Sequence, residues 1–159
     1  MPEKYPLRDL EKVRRIREEN AASEVLKAKN GVLTAQEEVL RCEKEVESYH
    51  DWRLNREEEL YQEIVDQQIQ LKELDGLKIQ IQLLRDKELM LHRKVEEAKK
   101  KLEDAKQHLL DAQDSHRQAS RDLEKIEKHK EEWAQEAAKE AESNLEKEME
   151  DFRVRSPDW

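Results

Sequence analysis

Apolar residues return every seven positions along much of this chain. Residues 24–51 divide into EVLKAKN, GVLTAQE, EVLRCEK and EVESYHD, four versions of one phrase. Val25, Val32, Val39 and Val46 take heptad position a, and Ala28, Ala35, Cys42 and Tyr49 take position d. Leu26, Leu33 and Leu40 widen that stripe. A second stripe starts at Leu74 and Leu77 and runs through Val95, Leu102 and Leu109 at a, with Ala98, Ala105 and Ala112 at d. A period of 3.5 held this long predicts coiled coil rather than an ordinary amphipathic helix.

The two stripes match in size when the chain folds back. Antiparallel pairing of residues whose numbers sum to 137 sets Val39 against Ala98, Cys42 against Val95, Val46 against Leu91 and Leu60 against Leu77. Large against small is what close helix packing requires. A rival register, sum 151, centres its turn on Asp75–Gly76, the better local turn signal. It loses Leu74 and Leu77 to the turn, so the 137 register is favoured. The expected fold is all-α: two long helices in an antiparallel coiled-coil hairpin, with a protruding C-terminal helical tail. The first arm is expected over about 6–66, the turn over about 67–71 between Gln68 and Ile69, the second arm over about 72–150, and the tail end over 151–159. Each arm of about 60 residues would reach about 90 Å. Pro6 suits a first helical turn, where its missing N–H costs nothing. Leu7, Leu10, Val13 and Ile16 are expected on one side of the first helix, and Gly31 is a weak point within it.

Composition supports the helices. Charged residues make up 45% of the 159, with two glycines, three prolines and only 4% aromatics. Regular periodicity argues against disorder, which charge alone would favour. The net charge of −9 gives no general attraction to nucleic acid or membrane surfaces. No apolar run is long enough for direct membrane insertion, and the N-terminus has no secretory pattern. Lone Cys42 excludes an intrachain disulfide and makes the cytoplasm the default location. From Glu131 onward ten acidic residues face four basic ones, whereas KVRRIR near the start is basic. A hairpin would bring these together, a modest electrostatic gain.

Catalytic chemistry is not expected. Glycines 45 residues apart make no phosphate loop. The histidines at 50, 92, 108, 116 and 129 do not pair at helical spacing, so no metal or cofactor is expected. His116, at position a, reads as a polar register device. The few aromatics are better candidates for recognition. Tyr49 lies on the d seam, and Trp52 beside Arg53 has the composition of a protein-binding anchor. Trp133 with Tyr5 is expected to staple the open end, while Phe152 and Trp159 have no partner in the 137 register.

Four segments in order resemble the YscO/FliJ family of type III secretion and flagellar export, on its YscO-like branch: YPLRDLEKVRRIREENAASEVL, YHDWRLNREEELY, DGLKIQIQLLRDKE and KHKEEWAQEAAKEAESNLEKEMEDF. The resemblance covers nearly the whole chain. It implies a stalk-like helical hairpin, monomeric and cytoplasmic, peripheral to the membrane-embedded secretion apparatus. The implied partners are the hexameric secretion ATPase, the cytoplasmic domain of the export gate and secretion chaperones. Arg8, Lys12, Arg15 and Trp133 would face the ATPase, Leu74 and Leu77 would lie toward the gate, and Tyr49, Trp52 and Arg53 would form a lateral binding site. The alternative is a coiled-coil spacer or dimerising adaptor, in which the heptads pair between chains. An arc-shaped membrane-binding dimer is disfavoured by acidity.

Overall fold

The structure, a computed structural model, describes residues 4–65 and 70–155. Two α-helices occupy nearly all of them: α1 spans Arg8–Val65 and α2 spans Leu71–Arg155. They pack antiparallel, so the fold is the expected all-α hairpin.

The entry to α1 is a turn. The Arg8 N–H donates to the Tyr5 carbonyl at 3.2 Å, and the Glu11 N–H donates to the Leu7 carbonyl at 3.0 Å. Pro6 therefore sits at the second position of a Tyr5–Arg8 turn, two residues before the helix, where its fixed φ is favourable. At the start of α2 the Gln70 carbonyl accepts from Glu73 and Leu74 N–H groups at 3.0 and 3.3 Å. Gly76 lies inside α2, and no described glycine has positive φ. This excludes a turn at Asp75–Gly76, and with it the 151 register. The turn expected over 67–71 falls mostly outside the described residues.

Contacts divide the chain into two compact units. The first is Leu26–Asp111. Here Val39 and Cys42 of α1 pack with Val95 and Ala98 of α2, flanked by Val46 and Leu102. A second cluster joins Leu60 to Leu77 and Ile81, flanked by Ile64 and Leu84. These are partners in the 137 register. Between the clusters the seam changes character. After Tyr49 the seam runs through Arg53, Glu57, Leu60 and Ile64, at positions a, e, a, e, while of the d residues Arg56 is half-buried and Glu63 is exposed. An α-helix at 3.6 residues per turn drifts against a 3.5 repeat. Ile64 gives the drifted seam an apolar residue where the strict heptad would bury a glutamate.

The second unit comprises the residues before Leu26 and those after Asp111. Its buried residues include Tyr5, Glu11 and Ile126. Leu7, Leu10, Val13 and Ile16 do not form a covered stripe; all four are exposed, Ile16 to 55%. Steps of three residues fall about 60° short of a full turn, so such a series spirals off the seam. The contact positions there are polar: Glu11, Arg14 and Glu18. From Ala138 to Val154 every side chain of α2 is exposed, the expected uncovered tail.

Candidate functional site

The densest polar chemistry lies between the two apolar clusters of the Leu26–Asp111 unit. Arg53 comes from position a of α1, Glu88 from position a of α2, and both are nearly closed to solvent. Arg53 Nη1 donates to Glu57 Oε1 at 2.8 Å. Arg53 Nε lies 2.8 Å from Glu88 Oε2, but too poorly aligned for a hydrogen bond, so this contact is ionic. Arg85 Nε donates to Glu57 Oε1 at 3.1 Å, and His50 Nδ1 lies 2.5 Å from Glu88 Oε1. Burial pushes both carboxyls up, but partners outweigh it. Arg85 and Arg53 hold Glu57 below the ordinary carboxylate range, and His50 and Arg53 do the same for Glu88. The two carboxylates thus stay charged in a seam where apolar side chains would be the default.

Tyr49 and Trp52 stand beside this cluster. The Tyr49 hydroxyl donates to the Leu84 carbonyl at 2.8 Å, which ties the ring to the second helix. Burial, with the Glu88 charge adding to it, raises the phenol above its ordinary range. The rings of Tyr49 and Trp52 are 5.5 Å apart, and the Lys87 ammonium lies 5.2 Å from the Tyr49 centroid. Trp52 is exposed to 51%. Leu83 and Met90, also exposed, share the α2 face of Lys87 at i−4 and i+3. A half-covered tyrosine, an open tryptophan and neighbouring Leu and Met make a surface suited to protein contact.

The other predicted positions separate clearly. Arg8, Lys12 and Arg15 are exposed, and Arg15 Nη2 bonds Glu11 Oε1 at 2.9 Å. Glu11 also meets Lys130 Nζ at 3.2 Å. Trp133 is half-buried, its ring centroid 5.5 Å from that of Tyr5 in an edge-on arrangement, and the Tyr5 hydroxyl pairs with His129 Nδ1. The expected staple is present. His116 Nε2 lies 2.9 Å from Glu18 Oε1, which satisfies its seam position. Leu74 is half-buried and Leu77 is in the core with Leu60, so Leu77 packs the seam and offers no surface. Arg53 is likewise engaged internally. Glu57 and Arg85 were not anticipated, although charges at consecutive seam levels were the available signal. Among the described residues no cluster of His, Cys, Asp and Glu could hold a metal ion, and no helix is long and apolar enough to cross a membrane.

The family model of type III secretion protein YscO matches residues 7–155. The chain belongs to the YscO family. The crystal structure of the type III secretion protein YscO from Vibrio parahaemolyticus is similar with a TM-score of 0.87 and 29% identity, over 92% of each chain. A YscO homolog from Chlamydia trachomatis has a TM-score of 0.75 and 22% identity, over 96% of this chain and 93% of its own; it supports the fold. A search of curated proteins finds no match. Membership makes this YscO-family chain a type III secretion protein.

Proposed function

We propose that this YscO-family chain is a non-enzymatic, monomeric central stalk of a bacterial type III export apparatus. It links the hexameric ATPase to the cytoplasmic domain of the export gate and binds and recycles secretion chaperones. The observation that carries this reading is the family match from residue 7 to 155 on a two-helix fold shared with Vibrio YscO. Supporting features lie on the surface. The start of α1 exposes Arg8, Lys12 and Arg15 among exposed Leu7, Leu10, Val13 and Ile16, a basic and apolar surface for the ATPase. Trp133 supports that end from the second helix. With Leu77 in the core, gate contact passes to Val65 and Leu71, which are 66% and 79% exposed. Tyr49 and Trp52 serve as the lateral contact for chaperones, with Arg53 tying the two helices together beside them through Glu88. The stalk works in the cytoplasm, against the apparatus.

The test is co-purification of the chain with the ATPase of its own secretion system. Combined Arg8→Glu, Lys12→Glu and Arg15→Glu should abolish ATPase capture while Trp52→Ala leaves it intact. Capture that survives the triple charge reversal would remove the N-terminal surface from the proposal. Sedimentation velocity separates the stalk from a dimerising adaptor: the stalk stays monomeric across a wide concentration range, and a concentration-dependent dimer would favour the adaptor.

A further inference from the structure

The start of α1 is held to α2 differently from the rest of that helix. The division of contacts falls between Val25 and Leu26 on α1 and between Asp111 and Ala112 on α2. Both apolar clusters described above lie in the Leu26–Asp111 unit. In the other unit α1 turns Glu11, Arg14, Glu18, Ala21 and Ala22 inward, so its seam from Arg8 to Glu24 holds no apolar residue larger than alanine.

Polar contacts take the place of apolar ones there. Arg14 Nη1 donates to the Asp122 carbonyl at 3.0 Å, Glu18 Oε1 meets His116 Nε2 at 2.9 Å, and Glu11 Oε2 meets Lys130 Nζ at 3.2 Å. Arg15 and Glu127 face each other at 3.8 Å, both about half exposed. Water satisfies all of these groups when the helices part, so such contacts hold a seam less firmly than buried Val, Leu and Ile do.

This weak stretch does not taper to a free end. Tyr5, on its N-terminal side, is 7% exposed. The Tyr5 ring packs edge-on against Trp133, and its hydroxyl pairs with His129 Nδ1. A polar stretch is therefore closed at its far end by an aromatic contact, as a strap is by a latch.

We propose that residues 8–24 form a strap that leaves α2 as one unit, held shut by the Tyr5–Trp133 latch, while the apolar seam of the Leu26–Asp111 unit stays closed. Opening uncovers Tyr5, Ile126 and Trp133 together with the inner sides of Glu11, Arg14 and Glu18, a mixed aromatic and charged surface that the closed chain withholds. Off α2 the strap keeps only its own helix propensity, which is marginal at this length, so its amides exchange from the open state. The free chain alone shows the opening, which is therefore independent of the stalk reading.

Residue-resolved hydrogen exchange on the full chain reads it. Amides of residues 11–22 should share one exchange level, at least about a hundredfold faster than those of residues 39–46. Tyr5→Ala should speed exchange across all of residues 11–22 at least about tenfold, although Glu18 lies about 20 Å along the chain from the latch, and should leave residues 39–46 unchanged. Glu11→Leu with Arg14→Leu sets leucine opposite Ile126 and Leu123 in the 137 register and should slow the strap at least about tenfold. Circular dichroism of each variant checks that the hairpin is otherwise intact. Strap amides as protected as residues 39–46 would overturn the proposal. So would a Tyr5→Ala effect confined to the first turn of α1, which is ordinary end fraying, or one that spreads to residues 39–46, which would make the chain a single cooperative unit. Exchange unchanged by the two leucines would also overturn it.

Discussion

Arg53→Met tests whether the central cluster is held by charge. Methionine keeps much of the aliphatic stem and removes the guanidinium. Glu57 then retains Arg85 and Glu88 retains His50, but the cation between the two carboxylates is gone. Breaking a buried pair costs about 3–5 kcal/mol in a globular interior. Here one layer of side chains separates the site from water, and two partners remain, so the expected cost at pH 7 is about 2 kcal/mol. The cost should also depend on pH in a defined direction. Glu57 and Glu88 are held below their ordinary range in the folded chain, so their contribution is complete above the unfolded glutamate value, about 4.3, and is lost as pH falls through the folded values. In the variant the carboxyls protonate more readily. Once the pH has fallen through the folded values the carboxyls are neutral in both chains, and the difference should shrink.

Urea denaturation reports this locally if Trp52 is the sole tryptophan. Trp133→Phe and Trp159→Phe provide that background, as the chain has three. Trp52 adjoins the substituted residue. A cost that stays constant as the pH is lowered step by step from 7 through the acid range would refute the electrostatic reasoning and assign the loss to packing of the arginine stem. Arg53→Lys should recover part of the stability at pH 7, because one ammonium cannot serve both carboxylates as the guanidinium does.

Three further outcomes are expected. Gly31→Ala and Gly76→Ala should each stabilise the chain by about 1 kcal/mol, read as a rise in melting temperature, since both are helical and a Cβ at either meets nothing within 4 Å; destabilisation at Gly76 would mean that the chain turns there after all. Cys42 is 3% exposed, and burial, then the Glu38 charge, raise its thiol above the ordinary range, so alkylation at pH 8 should be slow and should accelerate with urea in step with unfolding; fast reaction in the native chain would contradict a closed seam. Val95→Cys should form a disulfide with Cys42 on mild oxidation and remain a monomer on a non-reducing gel, whereas Leu109→Cys should not; dimers would indicate pairing between chains.

The seam around Val39 and Ala98 was legible because size alternation and heptad period agree there, and only the 137 register also keeps Leu74 and Leu77 out of the turn. The local Asp-Gly signal pointed elsewhere and lost: one glycine costs a helix about 1 kcal/mol, while a turn there would leave Leu74 and Leu77 without partners. Period alone misled at two places. At Leu7 to Ile16 the apolar residues step by threes, and the seam takes Glu11 and Arg14 instead. After Tyr49 the contact drifts from d to e, which brings Glu57 inward. The heptad assignment could place Arg53 and Glu88 on the seam but not supply Glu57, because its position depends on the accumulated drift between 3.5 and 3.6 residues per turn. Leu77 was read as a partner contact on resemblance, while its own d position already marked it as core.

The buried charges have a consequence for register. An apolar seam built of heptads tolerates a slide by whole heptads, since Val, Leu and Ala recur at equivalent places. A slide of two heptads would set Arg53 opposite Ala98 and Glu88 opposite Glu63, leaving Arg53 with Glu57 of its own helix but Glu88 in the seam without Arg53 or His50. Each unpaired charge costs several kcal/mol before relaxation, against differences of about 1 kcal/mol between competing aliphatic pairs. The Arg53–Glu57–Glu88–Arg85 cluster therefore discriminates between registers more sharply than the apolar clusters on either side. It also fixes which exposed residues of the two helices share a level, and so sets Lys87 of one helix over the Tyr49 ring that adjoins Trp52 of the other.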